Sequence, residues 1–209
     1  MKQDEVRDAI LKCRVIPVVR AASPAFAIEI VDAILAGGIP IIELTMTVPG
    51  AIEVIAELSR TRKDAVIGAG TVLNAADAQQ CLDAGAQFIV SPGFKSETVK
   101  LVLESETLMI PGALTPTEVI DAWQAGAEFV KIFPCGSVGG PVYIKSLKAA
   151  LPQIRMIPTG GVNLANAHAF LHAGASAIGV GSELTSAPNI SRTARQFIQA
   201  VNLFEPCKE

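Results

Sequence analysis

The chain is short of the residues that most often mark a metal, redox or disulfide protein. Its four cysteines, Cys13, Cys81, Cys135 and Cys207, lie far apart with no C-x-x-C pair. That argues against a disulfide framework or a structural zinc site and reads as reduced cytosolic thiols. The two histidines, His168 and His172, stand four apart, but no carboxylate is spaced with them and they fall past the strand end. They read as surface or packing residues, and no metal is expected. Positive charge is scattered: 17 Lys and Arg against 20 Asp and Glu leave a net charge of −3, with no basic stripe to suit nucleic acid or a membrane surface. No charge-free apolar run reaches the ~18 residues of a membrane span. The N-terminal MKQDEVRDAI mixes acids and bases where a signal peptide needs a basic cluster and an apolar core. The expectation is a soluble, cytoplasmic protein whose partner is a small molecule.

What the chain does have is apolar residues, 50% of 209, enough for one domain with a large core over residues 1–209. It also has an internal period. Ala84-Gly-Ala-Gln-Phe-Ile-Val-Ser-Pro92, Ala125-Gly-Ala-Glu-Phe-Val-Lys-Ile-Phe-Pro134 and Ala173-Gly-Ala-Ser-Ala-Ile-Gly-Val-Gly181 resemble one another, and Ala36-Gly-Gly-Ile-Pro-Ile-Ile-Glu-Leu44 is a looser copy. Each opens on a glycine suited to end a helix and runs into a short β-branched stretch, the signature of a helix-to-strand joint. Between them lie Arg14–Arg20, Ala65–Gly70, Leu108–Gly112 and Arg155–Thr159. The eight runs recur at about 20 to 27 residues, one strand plus one helix, with helical spacing in between, as in Ile52, Ile55, Ala56 and Leu58. Eight such units predict a parallel α/β fold of the (β/α)8 TIM-barrel type. A doubly wound open sheet is the rival, but the Gly-rich dinucleotide turn it would usually carry after its first strand is absent.

Active sites of such barrels lie at the carboxyl ends of the strands. Side chains alternate along a strand, so in Phe129-Val-Lys-Ile-Phe133 the lysine shares a face with the two phenylalanines, while Val130 and Ile132 face the helices. By the same parity Ile41, Glu43 and Thr45 share a face of the second strand. Lys131 and Glu43 are therefore expected inside together. One reading is a buried ion pair tying two strands, but such pairs contribute little to stability. The other is chemical: withdrawal from water favours free amine over ammonium, free amine attacks a carbonyl to form a Schiff base, and a carboxylate nearby shuttles the protons. Arg20, closing the first strand, reads either as a solvent-facing residue or as a bidentate grip on a carboxylate. Thr71 reads as a cap or a site residue. Thr159-Gly-Gly161 after the seventh strand and Gly179-Val-Gly-Ser182 after the eighth let backbone N–H groups approach an anion, and point to a phosphate on the substrate. Trp123, on the helix before the sixth strand, reads as packing.

The ordered set Ile42-Glu-Leu-Thr45, Gly68-Ala-Gly-Thr-Val72, Phe88-Ile-Val-Ser-Pro-Gly93, Ile110-Pro-Gly112, Phe129-Val-Lys-Ile-Phe-Pro134, Ile157-Pro-Thr-Gly-Gly-Val162 and Gly179-Val-Gly-Ser182 resembles the class I 2-keto-3-deoxy-6-phosphogluconate aldolases, the KDPG/KHG aldolases. The resemblance covers most of the chain. It implies a (β/α)8 homotrimer that needs no cofactor and cleaves a 2-keto acid sugar phosphate to pyruvate and an aldehyde such as glyceraldehyde 3-phosphate. It implies Lys131 as the Schiff-base residue and Glu43 as general acid/base. Thr71, Pro92 and Phe133 then border the pyruvate moiety, and Thr159, Gly160, Gly161, Gly181 and Ser182 the phosphate. Some members carry a carboxylate-binding arginine where this chain has Thr47. Others share its Thr45-x-Thr-Val-Pro49 form and carry an arginine at the end of strand one, so Arg20 is expected on the substrate carboxylate. Gluconate- and galactonate-derived substrates and 4-hydroxy-2-oxoglutarate all remain open. A phosphosugar isomerase or a thiamin-phosphate-synthase-like barrel would keep the phosphate loops without needing a lysine on strand six. A non-catalytic sugar-phosphate sensor would tolerate loss of both Lys131 and Glu43.

Overall fold

A computed structural model describes residues 2–202. Its strand segments are β1 (Val15–Val19), β2 (Ile41–Thr45), β3 (Val66–Gly70), β4 (Phe88–Val90), β5 (Leu108–Ile110), β6 (Gly112–Ala113), β7 (Phe129–Ile132), β8 (Arg155–Pro158) and β9 (Ile178–Val180). The helices are α1 (Gln3–Cys13), α2 (Pro24–Ala36), α3 (Ala51–Thr61), α4 (Ala75–Asp83), α5 (Ser96–Glu104), α6 (Pro116–Gln124), α7 (Pro141–Ala150), α8 (Ala167–His172), α9 (Ser182–Thr185) and α10 (Ile190–Asn202).

The repeated Ala-Gly phrases end helices as the sequence predicts. Gly38, Gly85, Gly126 and Gly174 have φ of +93°, +92°, +97° and +98°, the left-handed conformation that costs glycine nothing. Each donates its N–H to the carbonyl three residues back, and the next residue reaches the carbonyl five back, as in Gly85 to Leu82 (2.9 Å) and Ala86 to Cys81 (3.0 Å). This double bond is the Schellman motif, which satisfies the last carbonyls of a helix before the chain turns into a strand.

All strand pairs are parallel, in one sheet of order β5-β4-β3-β2-β1-β9 and another of order β6-β7-β8. The chain is thus an α/β protein with a curled parallel sheet. The two sheets meet at two places. Thr159, just past β8, pairs with Gly179 of β9, and β5 runs on to β6 through the single residue Pro111, whose carbonyl accepts from Lys131 N–H at 2.9 Å. The expected fifth strand is divided there because proline has no N–H to give a ladder.

Parity along the strands holds. An inner cluster joins Ile16, Ile41, Val66, Phe88, Leu108, Ile110, Phe129 and Ile157, while Val15, Val19, Ile42, Leu44, Val130 and Ile132 belong to the cluster packed under the helices. Helix α1 supplies Val6 and Ile10 to the inner cluster. Its Arg7 meets Asp4, Asp8 and Glu128, and Glu128 also meets Arg155 at the start of β8. One helical stripe differs from expectation. On α3 the buried positions are Ala51, Val54, Ile55 and Leu58, an i, i+3, i+4, i+7 stripe that leaves Ile52 half-buried and Ala56 exposed.

Gly68 on β3 faces inward, and a Cβ added there would overlap the Phe88 ring. Gly68→Ala should therefore cost about 1–3 kcal/mol by overpacking, read as a lowered midpoint in urea. Gly93→Ala, where an added Cβ meets nothing within 4 Å, should leave the midpoint nearly unchanged.

Candidate active site

Glu43 lies on the inward face of β2 and Lys131 on that of β7. They reach each other across the interior: Lys131 Nζ donates to Glu43 Oε1 at 3.3 Å. The residues are 4% and 2% exposed, so the pair is nearly dry. Room for it comes from the neighbouring strand. Gly70 on β3 pairs with Thr45 of β2, and a Cβ at Gly70 would overlap the Glu43 carboxylate. The Phe133 ring, just past β7, has its centroid 5.5 Å from Nζ, within cation–π range and positioned to limit water.

Two clefts flank Phe133, which lines both. The first, about 240 Å³, is bordered by Val18, Arg20, Thr159, Gly160, Gly161, Val162, Asn163, Gly181, Ser182 and Glu183. Gly160 and Gly161 have φ of +88° and +79°, a backbone path that side chains disfavour. Cys135 and Gly136 fasten this loop from below, their N–H groups donating to Thr159 and Gly160 carbonyls at 2.9 and 2.8 Å. Burial pushes the Cys135 thiol up to about 11, which marks it as packing rather than nucleophile. The second cleft, about 220 Å³, is bordered by Pro92, Gly93, Phe94, Gly112, Ala113, Leu114, Glu118 and Asp121. Glu118 is fixed by the N–H groups of Thr115 and Leu114, both at 2.8 Å, which hold its carboxyl below the usual carboxylate range.

The structure brings Lys131, Glu43 and Phe133 together and gathers Arg20, Thr159, Gly160, Gly161, Gly181 and Ser182 on the first cleft. Pro92 falls on the second. Thr71 borders neither cleft. It follows β3 with φ of +60°, and the cap of α4 is Asn74, which accepts from Asp77 N–H at 2.8 Å. Thr47 shares a hydrogen bond with Thr45 at 2.7 Å. His168 and His172 are exposed on α8 with Nε2 atoms 3.0 Å apart, and neither they nor Trp123, 41% exposed on α6, line a cleft described above. Among the described residues no three His, Cys, Asp or Glu side chains are grouped to hold a metal.

Sequence reasoning did not single out three glycines for what they clear. Besides Gly70, Gly179 leaves space for the Thr159 side chain, and Gly112 for the backbone of the Pro92 turn. The glycines are visible in the sequence, but what lies above them depends on the strand next door. Glu118 and Asp121 were also missed, although Glu118 closes the Thr115-x-x-Glu118 capping box of α6, a pattern the sequence does carry.

A buried amine paired with a carboxylate, beside a glycine-lined cleft at one end of a parallel α/β fold, is the equipment of a carbon–carbon lyase of the aldolase type. The family described as KDPG and KHG aldolase matches residues 6–201, and the chain belongs to it. It is 38% identical over 159 residues to the 2-dehydro-3-deoxy-phosphogluconate aldolase of Treponema pallidum, covering 76% of each chain. To the 2-dehydro-3-deoxy-6-phosphogalactonate aldolase of Escherichia coli it is 36% identical over 188 residues, 88% of this chain and 91% of that one. A KDPG aldolase from Legionella pneumophila, solved with pyruvate captured as a covalent carbinolamine, superposes with a TM-score of 0.81 at 30% identity, over 92% of this chain and 94% of that one.

If Gly70 clears the place of the Glu43 carboxylate, Gly70→Ala should push that carboxylate off Lys131. Aldol cleavage should fall on the order of 100-fold, the scale of losing a positioned general acid/base, while the melting temperature moves by only a few degrees. A variant with full activity would show that Glu43 does not need that place.

Proposed function

We propose that the chain is a class I aldolase that cleaves a 2-keto-3-deoxy-6-phospho sugar acid, of gluconate or galactonate origin, to pyruvate and glyceraldehyde 3-phosphate. The observation that carries this reading is the buried Lys131–Glu43 contact at 3.3 Å. The same site suits the shorter 4-hydroxy-2-oxoglutarate.

Lys131 attacks C2, and loss of water leaves a protonated imine that acts as an electron sink. Glu43 takes the C4 hydroxyl proton, directly or through a water, and the C3–C4 bond breaks with its electrons flowing into the imine. The aldehyde leaves, Glu43 returns a proton to C3 of the enamine, and water releases pyruvate from Lys131. No cofactor takes part. Phe133, Pro92 and Thr71 border the pyruvate moiety, and Thr159, Gly160, Gly161, Gly181 and Ser182 receive the phosphate. The scaffold for this is a complete (β/α)8 barrel over residues 1–209, with β5 and β6 as halves of one strand. The Thr159–Gly179 pairing and the Lys131 to Pro111 bond support that closure. The working form is a cytoplasmic homotrimer.

Borohydride reduction with pyruvate should add a stable adduct to the peptide carrying Lys131, read by mass spectrometry. Lys131→Met should abolish it. Glu43→Gln should still trap pyruvate but turn over roughly 100- to 10,000-fold more slowly, the range for losing a general acid/base. An adduct elsewhere, or none, would defeat the Schiff-base assignment. A full turnover rate in Glu43→Gln would defeat the assignment of Glu43.

A further inference from the structure

We propose that His168 and His172 form a two-imidazole chelate on the exposed side of α8 for a divalent transition-metal cation of square-planar preference, Cu2+ ahead of Ni2+ and Zn2+. The site stands apart from both clefts beside Phe133. The sequence set the two histidines aside because no carboxylate is spaced with them. A cation that completes its shell with water needs none.

Spacing is the first support. Residues four apart on a helix are neighbours on its surface, and α8 holds both histidines within its six residues. Ala167, Phe170 and Leu171 of the same helix are buried, which anchors it on the core and leaves His168 and His172 exposed. The second support is the geometry of the rings. Their Nε2 atoms lie 3.0 Å apart, with centroids 4.1 Å apart and planes at 65°. In that contact one Nε2 carries the hydrogen and the other accepts it, so one lone pair already points into the space between the rings. An imidazole nitrogen binds a first-row cation at about 2.0–2.1 Å. Two such nitrogens are about 2.9 Å apart when they meet the metal at a right angle, and about 3.3 Å apart at the tetrahedral angle. The observed separation falls at the right-angle end, the arrangement of adjacent positions around Cu2+ or Ni2+. The general affinity order for nitrogen ligands also puts Cu2+ above both Ni2+ and Zn2+.

The surroundings do not oppose a cation. The chain carries no lysine or arginine between Arg155 and Arg192, so α8 and its flanks bring no positive side chain of their own. Lys148 of α7 lies with its stem against Gly174, just past α8, and its Nζ donates to the carbonyls of Pro152 and Ile154 at 2.6 and 2.9 Å. Binding changes no oxidation state. Both rings coordinate as neutral imidazoles through Nε2, and the ring that donates in the pair passes its hydrogen to its own Nδ1 by way of water, so no net proton is released. The bound cation bridges one turn of a helix whose N-cap residue, Asn166, donates to the Gly161 carbonyl at 2.8 Å. It stabilises the folded chain by binding it and not the unfolded one, without touching Lys131 or Glu43.

The test uses the full-length chain without an affinity tag, stripped with a chelator and titrated with CuCl2, NiCl2 and ZnCl2 in a non-coordinating buffer. One equivalent of Cu2+ should bind, with the electron paramagnetic resonance spectrum of a tetragonal centre coupled to two nitrogens. Ni2+ and Zn2+ should bind at least about 10-fold more weakly, and saturating Cu2+ should raise the melting temperature by a few degrees. His168→Ala and His172→Ala, both at exposed positions, should each lose at least about 10-fold in Cu2+ affinity, together with the thermal gain. Metal-free aldol cleavage should stay within about 2-fold of the unaltered chain in both. Failure of the unaltered chain to bind Cu2+, coupling to a single nitrogen, or undiminished affinity in either variant would overturn the chelate. Tighter binding of Zn2+ than of Cu2+ would overturn the square-planar assignment.

Discussion

The contact between Lys131 Nζ and Glu43 Oε1 is the constraint around which the interior is arranged. Removing an ammonium and a carboxylate from water costs several kcal/mol each, and their attraction offsets this only where geometry and surroundings suit. A well-packed apolar pair in the same space would often be as stable or more so. The fold nevertheless makes specific room for the ions. Gly70 on the adjoining strand has no side chain where the Glu43 carboxylate lies, and Phe133 stands over the amine. Such provisions make sense for a reacting pair more than for a strut.

The two ends of the sheet treat water oppositely. At the amino ends α1 sends Val6 and Ile10 into the inner cluster, and Arg7, Glu128 and Arg155 fasten that helix to the strand starts. At the carboxyl ends several inward positions are small or polar, Thr45, Gly70, Gly112, Thr159 and Gly179, although Val90 at the end of β4 belongs to the inner apolar cluster. A floor plugged by α1 and a more polar mouth follow from one alternation rule applied to strands of which several end on small or polar residues. The same asymmetry puts Lys131 and Glu43 in the interior and the glycine loops at the carboxyl ends of the strands.

Much of this was legible because it is local. A helix-ending glycine needs only its own turn, so Gly38, Gly85, Gly126 and Gly174 could be read directly. Strand parity needs only the strand, which is why Lys131 and Glu43 could be placed inside without knowing how far apart they sit. What stayed hidden depends on a second element. Pro111 splits the fifth strand because its neighbours lose a donor. Gly70, Gly112 and Gly179 matter for the groups that lie over them. The company Arg20 keeps is decided by the β1–β9 register, between residues about 160 apart in sequence, which no local pattern reports.

Thr71 shows where stability is given up locally. With φ of +60°, it holds a conformation that is a genuine outlier for a β-branched residue and costs on the order of 1–3 kcal/mol. Glycine would adopt it without strain. Threonine stays there because its flanks are fixed: Met46 N–H donates to the Gly70 carbonyl at 2.8 Å and Val72 N–H to the Val90 carbonyl at 3.1 Å. Those bonds tie β3 to its neighbours on both sides, so the chain cannot relax without breaking the sheet next to Glu43. The buried core on either face of the sheet supplies the surplus that such strain draws on, and the strain is confined to the one turn that follows Gly70. A strained threonine where glycine would fit is an argument for its side chain rather than its backbone.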